Sequence, residues 1–140
     1  MTDSERTLNN LHVLGALSHN DKLLTNGDQF DIYAPTSLRG MVRAWYGESR
    51  EHNIQRVRQC IRAGIACASS LLEEADTLLL NRSDKQQMRF DTIMAHHRRM
   101  CDGLVRARTG LSNLLLTYRE DAALASQIRL LLTEVDDFGV

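Results

Sequence analysis

"IQRVRQCIRAGIACASSLLEEADTL", residues 54–78, is the stretch of sequence that decides the fold. Its apolar and small residues recur at alternating intervals of three and four, which places them on one face of an α-helix. A seam of this heptad-like kind predicts a long helix, about 48–80, that packs lengthwise against other helices. The thin middle of the seam predicts the close approach of a neighbouring helix. The seam consists of Ile54, Val57, Ile61, Gly64, Ala68, Leu71, Ala75 and Leu78.

A second long helix is predicted at 84–116, after the short connection "NRSD" at 81–84. Ser83 and Gln86 have the spacing of a capping box, in which each side chain satisfies a backbone N–H at the helix start. Because a short connection makes neighbouring helices antiparallel, the two long helices should form a helical hairpin. The predicted seam of the second helix runs through Phe90, Ile93 or Met94, His97, Cys101, Leu104, Arg108, Leu111 and Leu115.

Shorter elements flank this hairpin. An N-terminal helix is predicted at 4–18, capped by Asp3 or Ser4, and Thr117 with Glu120 predicts a last helix that starts near 118. We therefore predict an all-α antiparallel helical bundle that forms a single domain. Its parts are an N-terminal helix and long loop at 1–35, a short linking helix at 36–47, and the bundle core at 48–140.

Composition narrows the class of protein. Apolar residues make up 43% of the chain and charged residues 25%, which is typical of a globular protein rather than a disordered one. No apolar run approaches the roughly 20 residues of a membrane span, so we expect no membrane insertion. The polar N-terminus does not resemble a secretory signal, and the three cysteines argue against a disulfide framework. These features predict a cytoplasmic or nuclear protein with reduced cysteines.

Arginine outnumbers lysine by 15 to 2, although the formal net charge is only −1. In a hairpin that turns at 81–83, residues 56–62 lie opposite 102–108, so two arginine-rich stretches share one end of the bundle. Arginine makes planar, bidentate contacts with carboxylates and phosphates. These arginines could therefore pair with the chain's own acids, with an acidic partner, or with nucleic acid.

"DIYAPTSLRGMVRAWYGESR", residues 31–50, holds the only proline and the only tryptophan. One interpretation makes it an anchored joint, in which the apolar side chains of a short helix fasten it over the bundle end. The other makes it an interaction site, because Trp, Tyr and Arg are enriched at binding interfaces. Both hold if one face is buried while the arginines point outward. The predicted partner-binding residues are Arg39, Arg43, Trp45, Tyr46, Arg50, Arg56, Arg58, Arg62 and Arg106.

Residues 20–58 resemble a segment found in small uncharacterised proteins of large double-stranded DNA viruses. The residues that carry the resemblance are Tyr33, Pro35, Arg39-Gly40, Arg43, Trp45-Tyr46-Gly47 and Arg50. The resemblance covers about a quarter of the chain and implies a viral protein that is a virion component. No catalytic motif is attached to that segment, so it supplies no site residues.

Candidate chemistry is sparse. His97 and Cys101 stand four apart on one helix face with Cys67 opposite, so a zinc site is one alternative. The favoured alternative is a buried, hydrogen-bonded histidine among small core cysteines. His96 beside Arg99 fits only loosely with a phosphotransfer histidine. The sequence contains no nucleophile elbow, phosphate-binding loop or dinucleotide fingerprint. We predict that the protein is not an enzyme and uses no metal, cofactor or small-molecule substrate.

These observations favour a non-enzymatic structural or protein-interaction bundle. It would use the aromatic/arginine joint and the basic end of the hairpin to bind a protein partner or a second copy of itself. The alternative is a helical protein that binds nucleic acid through the clustered arginines.

Overall fold

A computed structural model describes residues 2–20, 50–79 and 83–140. These residues form four α-helices: α1 (Asp3–Gly15), α2 (Arg50–Leu79), α3 (Asp84–Thr117) and α4 (Ala122–Phe138). The predicted all-α antiparallel bundle is confirmed, and the long hairpin lies within two residues of its predicted bounds. The predicted short helix at 36–47 and most of the predicted loop before it lie outside the described residues.

The hairpin register is fixed by contacts between α2 and α3. Glu74 and Arg89 form an ion pair of 2.9 Å, and His97 Nδ1 lies 2.9 Å from the carbonyl oxygen of Ala68. The two helices therefore run antiparallel with paired residue numbers that add to about 164, as the sequence predicts. Ser83 and Gln86 form the predicted capping box at the start of α3.

Both long helices contact all three other described helices, and α3 makes the larger share of the contacts with α1 and α4. The leucines of α1 pack into one groove of the hairpin, and α4 covers the other. Arg62 of α2 binds Glu134 of α4, while Arg108 of α3 binds Asp136, which places the end of α4 near the middle of both long helices. Burying each leucine of this core is worth about 1.5–3 kcal/mol. The largest fully buried side chains are Leu11, Leu14, Ile54, Ile61, Leu104, Leu111, Leu114 and Leu124.

Glycines allow α1 to approach α3 closely. A Cβ built on Gly110 would overlap the backbone carbonyl of Leu14, and one on Gly103 would lie 2.9 Å from the Leu8 side chain. At Gly64 of α2 a Cβ would lie 2.9 Å from Leu11. The predicted close approach at Gly64 is therefore confirmed, whereas the roles of Gly103 and Gly110 were missed by the sequence reasoning.

Two helix starts differ from the predicted ones. Thr2, and not Asp3 or Ser4, caps α1 and forms a capping box with Glu5. Thr117 is the last residue of α3 and does not cap α4, which begins at Ala122 behind an Asp121 cap. The Asp121 carboxylate accepts a hydrogen bond from the backbone N–H of Leu124 at 3.2 Å. Motif spacing alone identified the wrong cap because Thr117 still hydrogen-bonds within the last turn of α3.

The inward face of α3 is broader than the single predicted seam. His97, Cys101, Arg108 and Leu115 of the predicted seam are only half-buried. The buried residues of α3 are Ile93, Met100, Gly103, Leu104, Ala107, Gly110, Leu111 and Leu114. A helix with three neighbours buries more than one stripe, which a two-helix seam cannot anticipate.

The hairpin extends beyond the other two helices. The N-terminus of α1 reaches only Leu71 and His96, which line a cleft with Thr2. We define the hairpin tip as residues 72–79 and 84–95, and the helical body as the rest of the described chain. Ala75 and Ile93 are buried in the tip but do not belong to the main core cluster of the body.

Candidate interaction surfaces

The predicted aromatic/arginine joint falls almost entirely outside the described residues. Arg39, Arg43, Trp45 and Tyr46 are in that part of the chain. Arg50 is the first residue of α2, but its side chain is not among those described. The partner-binding role of these five residues therefore stays a prediction.

The basic end of the hairpin is extensively paired within the protein. Arg62 donates two hydrogen bonds, of 3.0 and 2.7 Å, to one carboxylate oxygen of Glu134. Arg106 forms an ion pair of 3.0 Å with Asp102 on the same helix. These contacts neutralise two of the predicted partner-binding arginines, as one of the sequence alternatives proposed.

The other arginines at this end are also engaged. Arg58 donates a hydrogen bond of 3.1 Å to Gln55, and half-buried Arg56 interacts with other residues of the protein. Arg108 reaches out of its half-buried position to donate to Asp136 and to the carbonyl oxygen of Val140. Its alkyl stem lies along the bundle while its head group binds α4. This explains how a charged residue can occupy a position that the predicted seam directs inward.

Polar contacts around His97 join α2 and α3. Its Nδ1 lies against the carbonyl of Ala68, so Nδ1 carries the proton and Nε2 can accept from the Cys101 thiol at 3.5 Å. Cys67 contacts the Ser4 hydroxyl at 3.4 Å instead. The hydrogen bonds agree with the favoured sequence interpretation, but His97, Cys67 and Cys101 are half-buried rather than in the core.

None of the three cysteines forms a disulfide. Burial raises the pKa of Cys60 to about 12 and raises the pKa of the Cys101 thiol as well. Both groups are therefore protonated near neutral pH and are poor nucleophiles or metal ligands in that form. Within the described ranges, no three His, Cys, Asp or Glu side chains are grouped closely enough to hold a metal ion.

A cleft of about 380 Å³ lies between the start of α1 and the two long helices. Its apolar wall comes from Leu8, Leu71 and Met100, and its polar wall includes Glu5. The Glu5 carboxylate is already engaged in the capping box with Thr2. The cleft also contains His96 and Arg99, the pair that the sequence associated loosely with phosphotransfer.

Sequence reasoning missed the apolar surface of the hairpin tip. Three of the large exposed apolar side chains of the described residues lie there, with exposed fractions of 42% for Leu72, 41% for Leu79 and 73% for Met88. The predicted seam of α2 passes through Leu71 and Leu78, the neighbours of Leu72 and Leu79, and the predicted seam of α3 does not include Met88. All three exposed residues were therefore left unassigned. A usable signal was present, because Leu72 and Leu79 are seven residues apart and therefore share one face of α2.

The hairpin tip is acidic. Residues 72–79 and 84–95 carry five acids and two cations, for a net charge of −3. The arginine-rich stretches lie at the other end of the hairpin, so charge is separated along its length. The acids of the tip are Glu73, Glu74, Asp76, Asp84 and Asp91, and the cations are Lys85 and Arg89.

Comparison of the chain with protein-family models, curated proteins and solved structures gave no match. Among the described helices, none combines the length and apolar character needed to cross a bilayer. The surfaces of the bundle itself therefore provide the evidence on function.

Proposed function

We propose that this protein is a non-enzymatic helical bundle that acts by binding another protein. The observation that supports this function most directly is the exposure of Leu72 and Leu79 at the hairpin tip. These leucines continue the apolar face that Ile54 and Ile61 present in the body, where both isoleucines are fully buried. An apolar helix face that emerges from a core into solvent is typical of a protein-interaction surface.

The polar groups of the body serve its own packing. His97 joins α3 to α2, Asn113 holds the end of α1 through the carbonyl of Leu17 at 2.7 Å, and Arg62 holds α4. These contacts favour a structural role, rather than a catalytic one, for His97, Asn113 and Arg62. The viral origin and virion location implied by residues 20–58 are part of the same proposal.

A photo-reactive amino acid placed at Leu79 tests this function. In extracts of the source organism, irradiation should give a discrete cross-linked product with a second protein. The matched control carries the same amino acid at Leu130, which is 59% exposed on α4 and lies outside the tip. Equal products from both positions, or none from Leu79, would contradict the proposed function.

The aromatic/arginine joint is a second proposed contact surface. Trp45→Ala should lower the free energy of unfolding if its ring anchors the joint, whereas Arg39→Ala with Arg43→Ala should leave stability unchanged and weaken partner binding. Urea denaturation and binding measurements separate the two effects. If the double arginine variant unfolds, the interpretation that Arg39 and Arg43 face a partner is wrong.

Nucleic-acid binding is the alternative, and the ion pairs of Arg62 and Arg106 do not favour it. Each paired arginine would have to exchange a carboxylate for a phosphate. Binding that neutralises several phosphates would weaken steeply as salt rises. A filter or anisotropy assay at about 50 mM salt, where such binding is strong, should detect no complex with DNA or RNA.

A further inference from the structure

The two long helices form a groove that α4 fills for only part of its length. In the body, α4 is held to both walls by the pairs Arg62–Glu134 and Arg108–Asp136. α4 ends at Phe138, where Gly139 adopts a left-handed conformation with φ of 88°. The walls of the groove continue for several more helical turns toward the tip.

The α2 wall of this continued groove is apolar. Leu72 and Leu79 follow Ile61 by 11 and 18 residues, which are close to three and five whole turns. They therefore point in the same direction as Ile61, which is fully buried in the body. Leu72 and Leu79 are exposed because α4 does not extend far enough to cover them.

The α3 wall is apolar as well. Phe90 precedes Arg108 by 18 residues, or five turns, so it lies on the side of α3 that faces α4 lower in the bundle. Met94 follows Phe90 by four residues on the same side, and both side chains are half-buried. Four apolar side chains, two from each helix, thus line the groove where α4 is absent. We call this part of the surface the tip groove: Leu72, Leu79, Phe90 and Met94.

The polar rim of the tip groove is acidic. Glu73 and Asp76 stand on the α2 side next to the exposed leucines, and Asp91 stands on the α3 side. All three are exposed, and none forms an ion pair with another described residue. Asp91 accepts one hydrogen bond from Gln87. A ligand that satisfies this rim must bring positive charge along with its apolar side chains.

Resting on the proposed function, we propose that the tip groove binds a basic amphipathic helix of a partner protein. A helix suits the site because α4, itself an amphipathic helix, occupies the same groove directly below. Two or three turns of helix span the available length, since each turn rises about 5.4 Å. Leucine-like side chains fill the groove, and Lys or Arg at the flanks meets Glu73, Asp76 and Asp91.

A pair of synthetic peptides tests the proposal. One is a helical peptide of about 14 residues built from Leu and Lys with an amphipathic period, and the other replaces every Lys with Glu. Fluorescence anisotropy should show binding of the Lys peptide that weakens at higher salt, because exposed charges are screened. Binding of the Glu peptide with equal affinity, or of neither peptide, would overturn the proposal.

Protein variants locate the binding site. Leu72→Ser with Leu79→Ser, and separately Glu73→Lys with Asp76→Lys, should each weaken binding of the Lys peptide at least 10-fold. The matched control is Leu130→Ser with Asp137→Lys, which changes the same residue types on the exposed face of α4 and should leave the affinity unchanged. If the control weakens binding as much as the tip variants, the peptide binds by general charge attraction and the proposal fails.

Solution mass distinguishes the partner from a second copy. Sedimentation equilibrium should give the same molecular mass for the wild type and the Leu72/Leu79 variant. A dimer that this variant dissociates would assign the tip groove to self-association and overturn the proposal. Failure of the peptide with a positive cross-link at Leu79 would reject the basic helix while leaving the proposed function intact.

Discussion

The helical body and the hairpin tip are built from the same two long helices but are stabilised differently. In the body, α1 and α4 cover both grooves of the hairpin, and most buried side chains form one continuous core. In the tip, α2 and α3 pack only against each other among the described residues, and Ala75 and Ile93 are buried outside that core. The comparison shows that the body supplies stability, so that the tip can keep apolar side chains exposed.

The largest expected difference comes from cavity-forming substitutions in the two regions. Leu104→Ala should lower the free energy of unfolding by about 3–5 kcal/mol, because Leu104 is fully buried among three helices. Ile93→Ala should cost about 2 kcal/mol or less, since the thin tip can relax around the lost methyl groups. Urea denaturation of both variants checks this, and equal losses would mean that the tip is packed as firmly as the body.

Next in size is the glycine contact between α1 and α3. Gly110→Ala should destabilise the protein by about 2–3 kcal/mol, because the new methyl group meets the backbone carbonyl of Leu14. Gly103→Ala is the matched control, since the nearest atoms to its Cβ belong to the side chains of Leu8, at 2.9 Å, and Leu11, at 3.3 Å. The gain of about 1 kcal/mol in helix propensity should offset most of its cost. Two variants of equal stability would show that α1 does not lie as closely on α3 as described.

The His97 network lies at the boundary between body and tip. His97→Ala should lower the free energy of unfolding by about 1–2 kcal/mol, because the carbonyl of the buried Ala68 loses its side-chain partner. Cys101→Ala should cost less, since a thiol is a weak donor. Thermal unfolding followed by circular dichroism measures both. If His97→Ala leaves stability unchanged, the contact between His97 and Ala68 is open to solvent.

Matched ion pairs should have small effects in both regions. Glu134→Gln in the body and Glu74→Gln in the tip each remove one partner of an exposed pair with arginine. Each should change stability by about 0–1 kcal/mol, with the effect shrinking at high salt. A loss of several kcal/mol for Glu134→Gln would indicate that α4 is held mainly by charge rather than by its apolar face.

The last prediction concerns the Cys60 thiol, which changes stability only at high pH. Burial raises its pKa to about 12 from an ordinary 9.0, so the folded state retains the proton while the unfolded chain releases it. This contribution to stability is complete below about pH 9 and is lost as the pH rises toward 12. Native Cys60 should therefore resist alkylation at pH 8, whereas it should react fully in urea. Rapid native labelling of Cys60 would mean that the core near α2 opens readily.

The fold could be predicted because the spacing of apolar residues along the chain determines where the long helices lie and which faces they bury. The seam from Ile54 to Leu78 and the Ser83 cap define two long helices and their pairing without any tertiary information. The tip groove could not be predicted in the same way. Whether Leu72 is covered depends on how far α4 reaches along α2. That reach is set by the packing of α4 against residues far away in the chain, such as Arg62 against Glu134, and not by a local pattern.

The candidate basic end shows a similar limit. Sequence position places the arginines together, but only the packing of α4 brings Glu134 and Asp136 to Arg62 and Arg108. These pairs join residues that are far apart in the chain, so local patterns contain no sign of them. A count of charged residues over a segment therefore overstates the positive charge that is available to bind a ligand.

The seating of α1 on glycines of α3 also sets an order of events during synthesis. Leu11 of α1 packs beside Gly103, which the ribosome adds roughly 90 residues later, or about 5–20 s at ordinary elongation rates. A 13-residue helix is marginal in water by itself. α1 is therefore synthesised several seconds before the glycines that hold it, and chaperones can reach its leucines during that time.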